Sequence, residues 1–152
     1  MDKDFLVREI ESCSGMLYRV AFAILRDDDA CRDAMQETAL KAWEKRHTLR
    51  EERYFRTWVT RICNNASRSM QRARRRVVSI EEIPEPSTVS YDPTLDMALG
   101  ALPEQLRLPL VLCYSEGMTY AEIATTLHLP VATVRGRIHR AKKELRKELD
   151  AE

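Results

Sequence analysis

Two stretches of this chain have the composition of a surface that binds phosphate. Residues 53–76 contain eight arginines and no acidic residue, and residues 135–147 contain seven basic residues and the single acid Glu144. The guanidinium group donates paired hydrogen bonds to phosphate and to guanine, so both stretches are candidates for binding nucleic acid. One charged run is equally typical of a solvated helix face, but two runs on separate elements favour a polyanionic partner.

The overall charge conceals these stretches, because 25 Lys and Arg side chains face 24 Asp and Glu side chains among 152 residues. Residues 1–76 hold 17 basic and 12 acidic side chains, residues 77–102 hold five acidic and no basic ones, and residues 103–152 hold eight and seven. This length allows one ordinary domain or two small ones, and a hydrophobic content of 44% is enough for a core. The charge partition favours two basic parts separated by an acidic segment.

The spacing of the apolar residues predicts helices in both parts. Apolar side chains recur every three or four positions over residues 6–24, and further helices are expected at about residues 30–46 and 54–76. In the last part of the chain, Pro109 is expected to kink or shorten a helix. Residues 77–94 contain three prolines and no basic side chain, which is typical of a linker.

The C-terminal part has the pattern of a helix-turn-helix. Thr119 and Glu122 are spaced as a capping box that begins a short helix, and Leu129 with Pro130 forms the expected turn. A second helix, at about residues 131–149, carries its basic side chains away from its apolar positions. The combination of cap, turn and basic helix favours a DNA-binding unit over a plain helical hairpin with an exposed cationic face.

The residues that could hold a metal or act as nucleophiles are scattered. No cysteine lies within four residues of another, and no histidine stands at zinc-ligand spacing from one. We therefore expect small buried cysteines, no metal and no cofactor. The run from Asp27 to Asp29 could be proposed as a metal site of an enzyme. Helix capping explains it better, because consecutive side chains point in different directions. The cysteines are Cys13, Cys31, Cys63 and Cys113.

The chain shows no sequence signal for a membrane. Its longest uncharged apolar run, residues 20–25, is too short to cross a bilayer, and the first residues lack the apolar core of a signal peptide. We expect a cytosolic protein without membrane insertion.

Three segments resemble the sigma factors of bacterial RNA polymerase. Within residues 102–145, YAEIATTLHLPVATVRGRIHRAKKEL is similar to the helix-turn-helix of the family's fourth-region domain. DACRDAMQETALKAWEK and YFRTWVTRICNNASRSMQRARRR are similar to the polymerase-binding helix and the minus-ten helix of its second-region domain. Ala132 stands where the family usually has Gly, and Gly136 where it often has Ser. Two such domains with only a short linker resemble the extracytoplasmic-function (ECF) group.

This resemblance implies an all-α fold, with two small helical domains at residues 1–76 and 95–152 joined by a linker at residues 77–94. It also implies three sets of contact residues. The set for core polymerase is Asp33, Gln36, Glu37, Lys41 and Trp43. The set for minus-ten DNA is Trp58, Arg61, Asn64, Asn65, Arg68 and Arg72. The set for minus-thirty-five DNA is Thr119, Val131, Thr133, Arg135, Arg137, His139, Arg140 and Lys143.

The residues themselves support part of the minus-ten set. Asn64 and Asn65 carry amides suited to the edge of an exposed base, and the arginines of the same helix can follow phosphates. Trp58 lies on the apolar stripe, where a tryptophan is more often a core side chain than a stacking platform.

Three functions compete at this stage. The first, implied by the resemblance, is a non-catalytic subunit that selects promoters for core RNA polymerase, is monomeric when free and is held inactive by an anti-sigma factor. A stand-alone, dimeric helix-turn-helix regulator explains the C-terminal part but not the arginine-rich helix. An enzyme acting on nucleic acid requires clustered carboxylates or a nucleophile beside a base, and the sequence offers neither.

Overall fold

The computed structural model describes residues 1–77 and 92–151, and the regular elements in these residues are all helices. The chain divides into two compact units between residues 85 and 86. The first unit contains α1 (Lys3–Ser12), α2 (Ser14–Leu25), α3 (Asp28–Glu44) and α4 (Phe55–Val77). The second contains α5 (Pro93–Ala101), α6 (Glu104–Tyr114), α7 (Tyr120–Leu127) and α8 (Val131–Asp150). The predicted all-α fold is confirmed.

The predicted linker at residues 77–94 lies mostly outside the described residues. At its edges, α4 includes Val77, and Pro93 with Thr94 forms the first turn of α5. The Asp92 side chain caps this turn by accepting from the backbone N–H of Thr94 at 2.8 Å.

Helix α2 is the centre of the first unit. Leu17, Val20 and Ala21 are completely buried, and α3 and α4 pack on it and on each other. The apolar face predicted over residues 6–24 is real, but it is shared by two helices, because the chain leaves the helical path at Cys13. Serines flank Cys13 and Gly15 follows, and such residues are weak helix formers that lower the cost of a break.

The second unit is built around the first half of α8. Val134 and Ile138 of that helix are buried together with Leu108, Leu112 and Ile123 from α6 and α7. Of the two outcomes expected at Pro109, a kink or a shortened helix, the shortening does not occur, because α6 continues through this proline to Tyr114. The buried apolar side chains around this proline offset the hydrogen bond that its missing N–H cannot make.

A buried arginine holds the corner between α5 and α6. Arg107 is 6% exposed, and its Nη1 donates to the carbonyl oxygen of Leu102 at 2.9 Å and approaches those of Leu99 and Gly100. This guanidinium satisfies backbone acceptors at the end of α5 that the helix itself leaves unpaired. Among the described helices none is both long enough and apolar enough to cross a membrane.

Candidate functional site

The helix-turn-helix of the second unit forms as the sequence predicts. Thr119 Oγ1 accepts from the backbone N–H of Glu122 at 3.1 Å, and the Glu122 carboxylate accepts from the backbone N–H of Thr119 at 3.0 Å. This reciprocal capping box begins α7. The turn owes its direction to His128, which has a left-handed backbone (φ 56°), and Pro130 is the last residue before α8. The predicted turn residues Leu129 and Pro130 lie between the two helices, and the sequence did not indicate the left-handed residue that precedes them.

Helix α8 buries one edge and presents cations on the others. Val134, Ile138 and Ala141 are buried against the unit. Among the residues predicted to contact minus-thirty-five DNA, Thr133 and Arg137 are half-buried. The exposed members are Thr119, Val131, Arg135, His139, Arg140 and Lys143. All the predicted residues on α8 are therefore at least partly accessible.

Helix α4 carries the arginine-rich face of the first unit. Arg61, Asn65 and Arg72 are exposed, and Arg68 is half-buried. These four residues recur every three or four positions along the helix, so they lie along the same side. The Arg72 Nη2 donates to Ser69 Oγ at 3.2 Å, which orients the guanidinium along the helix surface.

Asn64 does not belong with this face. Its side chain is 3% exposed, and its Oδ1 accepts from Arg68 Nε at 3.1 Å. The prediction that Asn64 contacts a base therefore has to be corrected, because its amide lies in the helix interface and orients Arg68. A single residue step rotates the side chain by about 100° around the helix, which is why its neighbour Asn65 is exposed.

Trp58 has a role that lies between the two alternatives left open by the sequence. The indole is half-buried and tilted against the ring of Phe55 at 5.6 Å between centroids. Its Nε1 donates to Thr48 Oγ1 at 2.9 Å, and the Thr48 hydroxyl donates to the carbonyl oxygen of Lys45 at 2.7 Å. The tryptophan thus fastens the segment between α3 and α4 to α4. That segment consists of two short 3₁₀ turns, Arg46–Thr48 and Glu52–Tyr54.

Helix α3 presents the residues predicted to bind polymerase. Asp33 and Gln36 are exposed, Glu37 and Lys41 are half-buried, and Trp43 is 38% exposed. The Lys41 ammonium lies 3.9 Å from a Glu37 carboxylate oxygen and 3.7 Å from one of Glu44.

An exposed apolar side chain on α3 was missed by the sequence reasoning. Leu40 is 61% exposed and lies one turn before Trp43. The Arg46 guanidinium lies over the Trp43 indole at 3.9 Å from the ring centroid, and its Nη1 donates to the Trp43 carbonyl oxygen at 2.8 Å. A leucine three residues before a tryptophan on a helix whose buried positions are small, such as Ala34 and Ala42, is the signal that could have found it.

The structure brings the polymerase set and the minus-ten set together. A groove of about 510 Å³ runs between α3 and α4, and Glu37 and Lys41 line one wall of it while Asn65 and Ser69 line the other. The other lining residues are Lys45 and the apolar side chains of Ile62, Ala66, Met70 and Ala73. The sequence treated these as two separate surfaces, and only the packing of α3 on α4 joins them.

The second unit contains an apolar groove that the sequence did not indicate. Its cavity of about 290 Å³ lies between α5, α6 and α8. At the edge of this groove, the Lys142 ammonium lies over the ring of Tyr114, 4.8 Å from the ring centroid. The lining residues are Leu95, Leu99, Leu110, Val111, Tyr114, Ser115, Lys142 and Leu145.

The four cysteines are free thiols. Cys31 and Cys63 are buried as predicted, whereas Cys13 and Cys113 are only partly covered. Burial raises the pKa of Cys31 to about 12 and that of Cys63 to about 11, so both stay protonated and unreactive near neutral pH.

The acidic run at the start of α3 acts as a cap. Asp27 Oδ2 accepts from the backbone N–H of Ala30 at 2.8 Å, as the sequence predicts, and Asp28 accepts from the Tyr18 hydroxyl and pairs with Arg32 at 3.1 Å. Across the part of the chain that the structure describes, no three His, Cys, Asp or Glu side chains come together as a metal site.

Both units match models of one protein family. The model for Sigma-70 region 2 matches residues 10–77, and the model for Sigma-70, region 4 matches residues 94–145. These matches cover the arginine-rich helix in one unit and the helix-turn-helix in the other. They define the class of this chain as a two-domain protein of the sigma-70 type.

Individual relatives narrow the class. The chain is 32% identical to the ECF RNA polymerase sigma factor SigE of Mycolicibacterium smegmatis over 94% of this chain, but it spans only 60% of that protein. It is 30% identical to the RNA polymerase sigma-H factor of Pseudomonas aeruginosa over 82% of this chain and 76% of that protein. The sigma factor RpoE of Bartonella quintana, solved with the anti-sigma factor NepR, aligns with a TM-score of 0.84 and 25% identity over 98% of both chains. The chain belongs to the ECF family of RNA polymerase sigma factors.

Proposed function

We propose that this chain is a promoter-specificity subunit that binds core RNA polymerase reversibly and directs it to a set of promoters. The observation that carries the proposal is the presence of two different basic helical surfaces, on α4 and on α8, in two separate compact units. A stand-alone operator-binding regulator requires only one such surface. A promoter offers two elements at a distance, which two units on one chain can contact together.

Helix α8 is the element that reads the minus-thirty-five duplex. It follows a capped α7 and a tight turn, and in a helix-turn-helix the second helix enters the major groove with its N-terminal residues at the base edges. Arg135 and Arg140 are exposed there and can donate to guanine or to phosphate. Affinity is expected to fall steeply with salt, because each neutralised phosphate releases counterions.

Helix α4 is the element that holds the opened minus-ten strand. Asn65 is exposed among Arg61, Arg68 and Arg72, so an amide that can hydrogen-bond to a base edge lies beside cations that can follow the phosphates. Asn64 is left out of this contact set because it is buried.

Helix α3 is the docking surface for core polymerase. Leu40 and Trp43 provide apolar contact area, and Asp33 and Gln36 provide a polar margin. An apolar centre with an aromatic residue and a polar rim is the usual anatomy of a protein interface. We add Leu40 to the residues expected to contact polymerase.

The proposal also includes control of this chain by an anti-sigma factor. Because RpoE of Bartonella quintana forms a complex with an anti-sigma factor and aligns with this chain over 98% of its length, we extend control by an anti-sigma factor to this chain. Such a factor would cover the surfaces that contact DNA and polymerase.

The chain supplies no catalytic group in this proposal, and phosphodiester bond formation belongs to the polymerase in the bacterial cytoplasm.

Transcription from a randomised promoter library tests the function. The full chain is mixed with core polymerase and templates randomised at both promoter elements, and the RNA 5′ ends are sequenced with and without the chain. We expect initiation that depends on the chain, from templates that share two sequence elements. Leu40→Ala, on α3, should reduce that initiation without changing which templates are used. No dependent initiation, combined with tight binding of an inverted repeat by the chain alone, would replace the proposal with a stand-alone regulator.

A further inference from the structure

The recognition helix contains a glycine that the folded chain does not require. Gly136 is exposed in the interior of α8, and its backbone lies outside the positive-φ region that favours glycine. A methyl group added at its Cα would meet nothing beyond its own stretch of helix within 4 Å. Glycine in an exposed helix interior lowers stability relative to alanine, so this residue weakens α8 without serving its packing.

Gly136 lies at the outermost line of the helix. At 3.6 residues per turn it is rotated by about 160° from both Val134 and Ile138, which are buried against the rest of the unit. Ala132 precedes it by about one turn, and Lys143 follows on the same line. This outermost line of α8 therefore begins with the small residues Ala132 and Gly136, and it carries the cation Lys143 further along.

We propose that Gly136 determines sequence specificity by its missing side chain, which lets the backbone of α8 approach the base edges of the minus-thirty-five duplex closely. Glycine is favoured where a backbone must come near a ligand, and the N-terminal half of a recognition helix is the part that meets the bases. The close approach also brings Arg135 and Arg140 toward the phosphates on either side. This inference rests on the proposed function of α8.

The test separates the stability of α8 from its contact with DNA. Full-length chains carrying Gly136→Ala or Gly136→Leu are compared with the parent chain in the presence of core polymerase, on templates with a fixed minus-ten element and a randomised minus-thirty-five element. Thermal unfolding of each free chain is followed in parallel. We expect the midpoint of unfolding to rise by roughly 2–6 °C for Gly136→Ala, because alanine is the better helix former.

DNA recognition should change in the opposite direction. We expect use of the parent's preferred templates to fall about tenfold for Gly136→Ala and further for Gly136→Leu, with altered base preference at one or two neighbouring positions. Glu148→Ala, an exposed substitution three turns further along α8, is the matched control and should leave template preference unchanged.

Each remaining outcome counts against the inference. If Gly136→Ala keeps the parent's preferred templates and strength, the inference fails while the proposed function stands. A lower unfolding midpoint for Gly136→Ala would mean that the fold requires the glycine, which also overturns the inference. If the parent chain itself directs no specific initiation, the proposed function fails and the inference fails with it.

Discussion

Helices α4 and α8 are both basic, but their cations are held in different ways. In α4, Arg56 Nε donates to the Met16 sulfur at 3.1 Å and Arg68 Nε donates to Asn64 Oδ1 at 3.1 Å. In α8, the described residues provide no hydrogen bond or ion pair to Arg135, Arg137 or Arg140. The first helix therefore has several arginines with fixed directions, and the second has arginines that are free to adjust.

This difference fits the partners that we propose for the two helices. An opened strand is flexible, so a surface that binds it gains affinity when its own side chains are already ordered. A duplex is stiff and presents its phosphates at regular spacing. Arginines that are not fixed beforehand can therefore adjust to bind these phosphates. Four predictions can break or sharpen the contrast, beginning with the one whose expected effect is largest.

Charge reversal on α8 should have the largest effect. We expect Arg140→Glu to weaken binding of the minus-thirty-five duplex by about 100-fold or more, because a contact of about 1–3 kcal/mol is lost and repulsion from phosphate is added. Its unfolding free energy should change by less than about 0.5 kcal/mol, since the side chain is exposed. Competition binding of promoter DNA by the complex with polymerase measures the first effect, and urea unfolding the second.

Arg140→Glu should leave binding of the opened minus-ten strand unchanged. A template with a pre-opened minus-ten segment, and no minus-thirty-five element, should be used equally well by Arg140→Glu and by the parent chain. Equal losses on both templates would show that the two helices do not divide the promoter between them.

Removal of the buried amide on α4 should cost stability. We expect Asn64→Ala to lower the free energy of unfolding by about 2 kcal/mol, because the partner atoms on Arg68 lose a buried acceptor. Urea unfolding of the full chain measures the change. Asn65→Ala, which alters the exposed neighbour, is the control and should remain within about 0.5 kcal/mol of the parent. A reversed order of the two variants would contradict the burial described for this helix.

Asn65→Ala should instead impair promoter opening. We expect an approximately tenfold slower formation of the open complex, since one contact to an unstacked base is worth about 1–3 kcal/mol. Chemical reactivity of unpaired thymines follows opening, and duplex capture measured before opening should be almost unchanged. A pre-opened template should recover most of the lost rate. Loss of capture to the same extent as loss of opening would remove the distinction between α4 and α8.

The smallest expected effect concerns the fastening of the segment before α4. Trp58→Phe removes the N–H that reaches Thr48, and Thr48→Val removes its acceptor. We expect each single variant to lose about 1 kcal/mol of stability and the double variant to lose less than the sum, because one hydrogen bond is shared. Urea unfolding of the parent chain, the two single variants and the double variant provides a double-mutant cycle. If the losses in stability are strictly additive, the hydrogen bond between Trp58 and Thr48 contributes nothing.

Features that depend on neighbours in sequence were predictable. The capping box at Thr119 and Glu122 forms as expected because both hydrogen bonds span only three residues. The buried positions Val134 and Ile138 follow from helical periodicity for the same reason. Two features depart from the expectation. The apolar face over residues 6–24 is divided between two helices at Cys13, and α6 is not shortened at Pro109, where packing outweighs the local effect of the proline.

The sequence by itself determined that the chain is helical, where the cations are concentrated and which family the chain resembles, because these depend on composition and on spacings of three or four residues. Only the tertiary structure decided that Asn64 is buried and Asn65 exposed, and that Trp58 bonds to Thr48 ten residues away. It also decided that Lys41 and Asn65 face one groove. Such relations depend on how α3 and α4 rotate against each other, and that rotation is set by the fit of many buried side chains together.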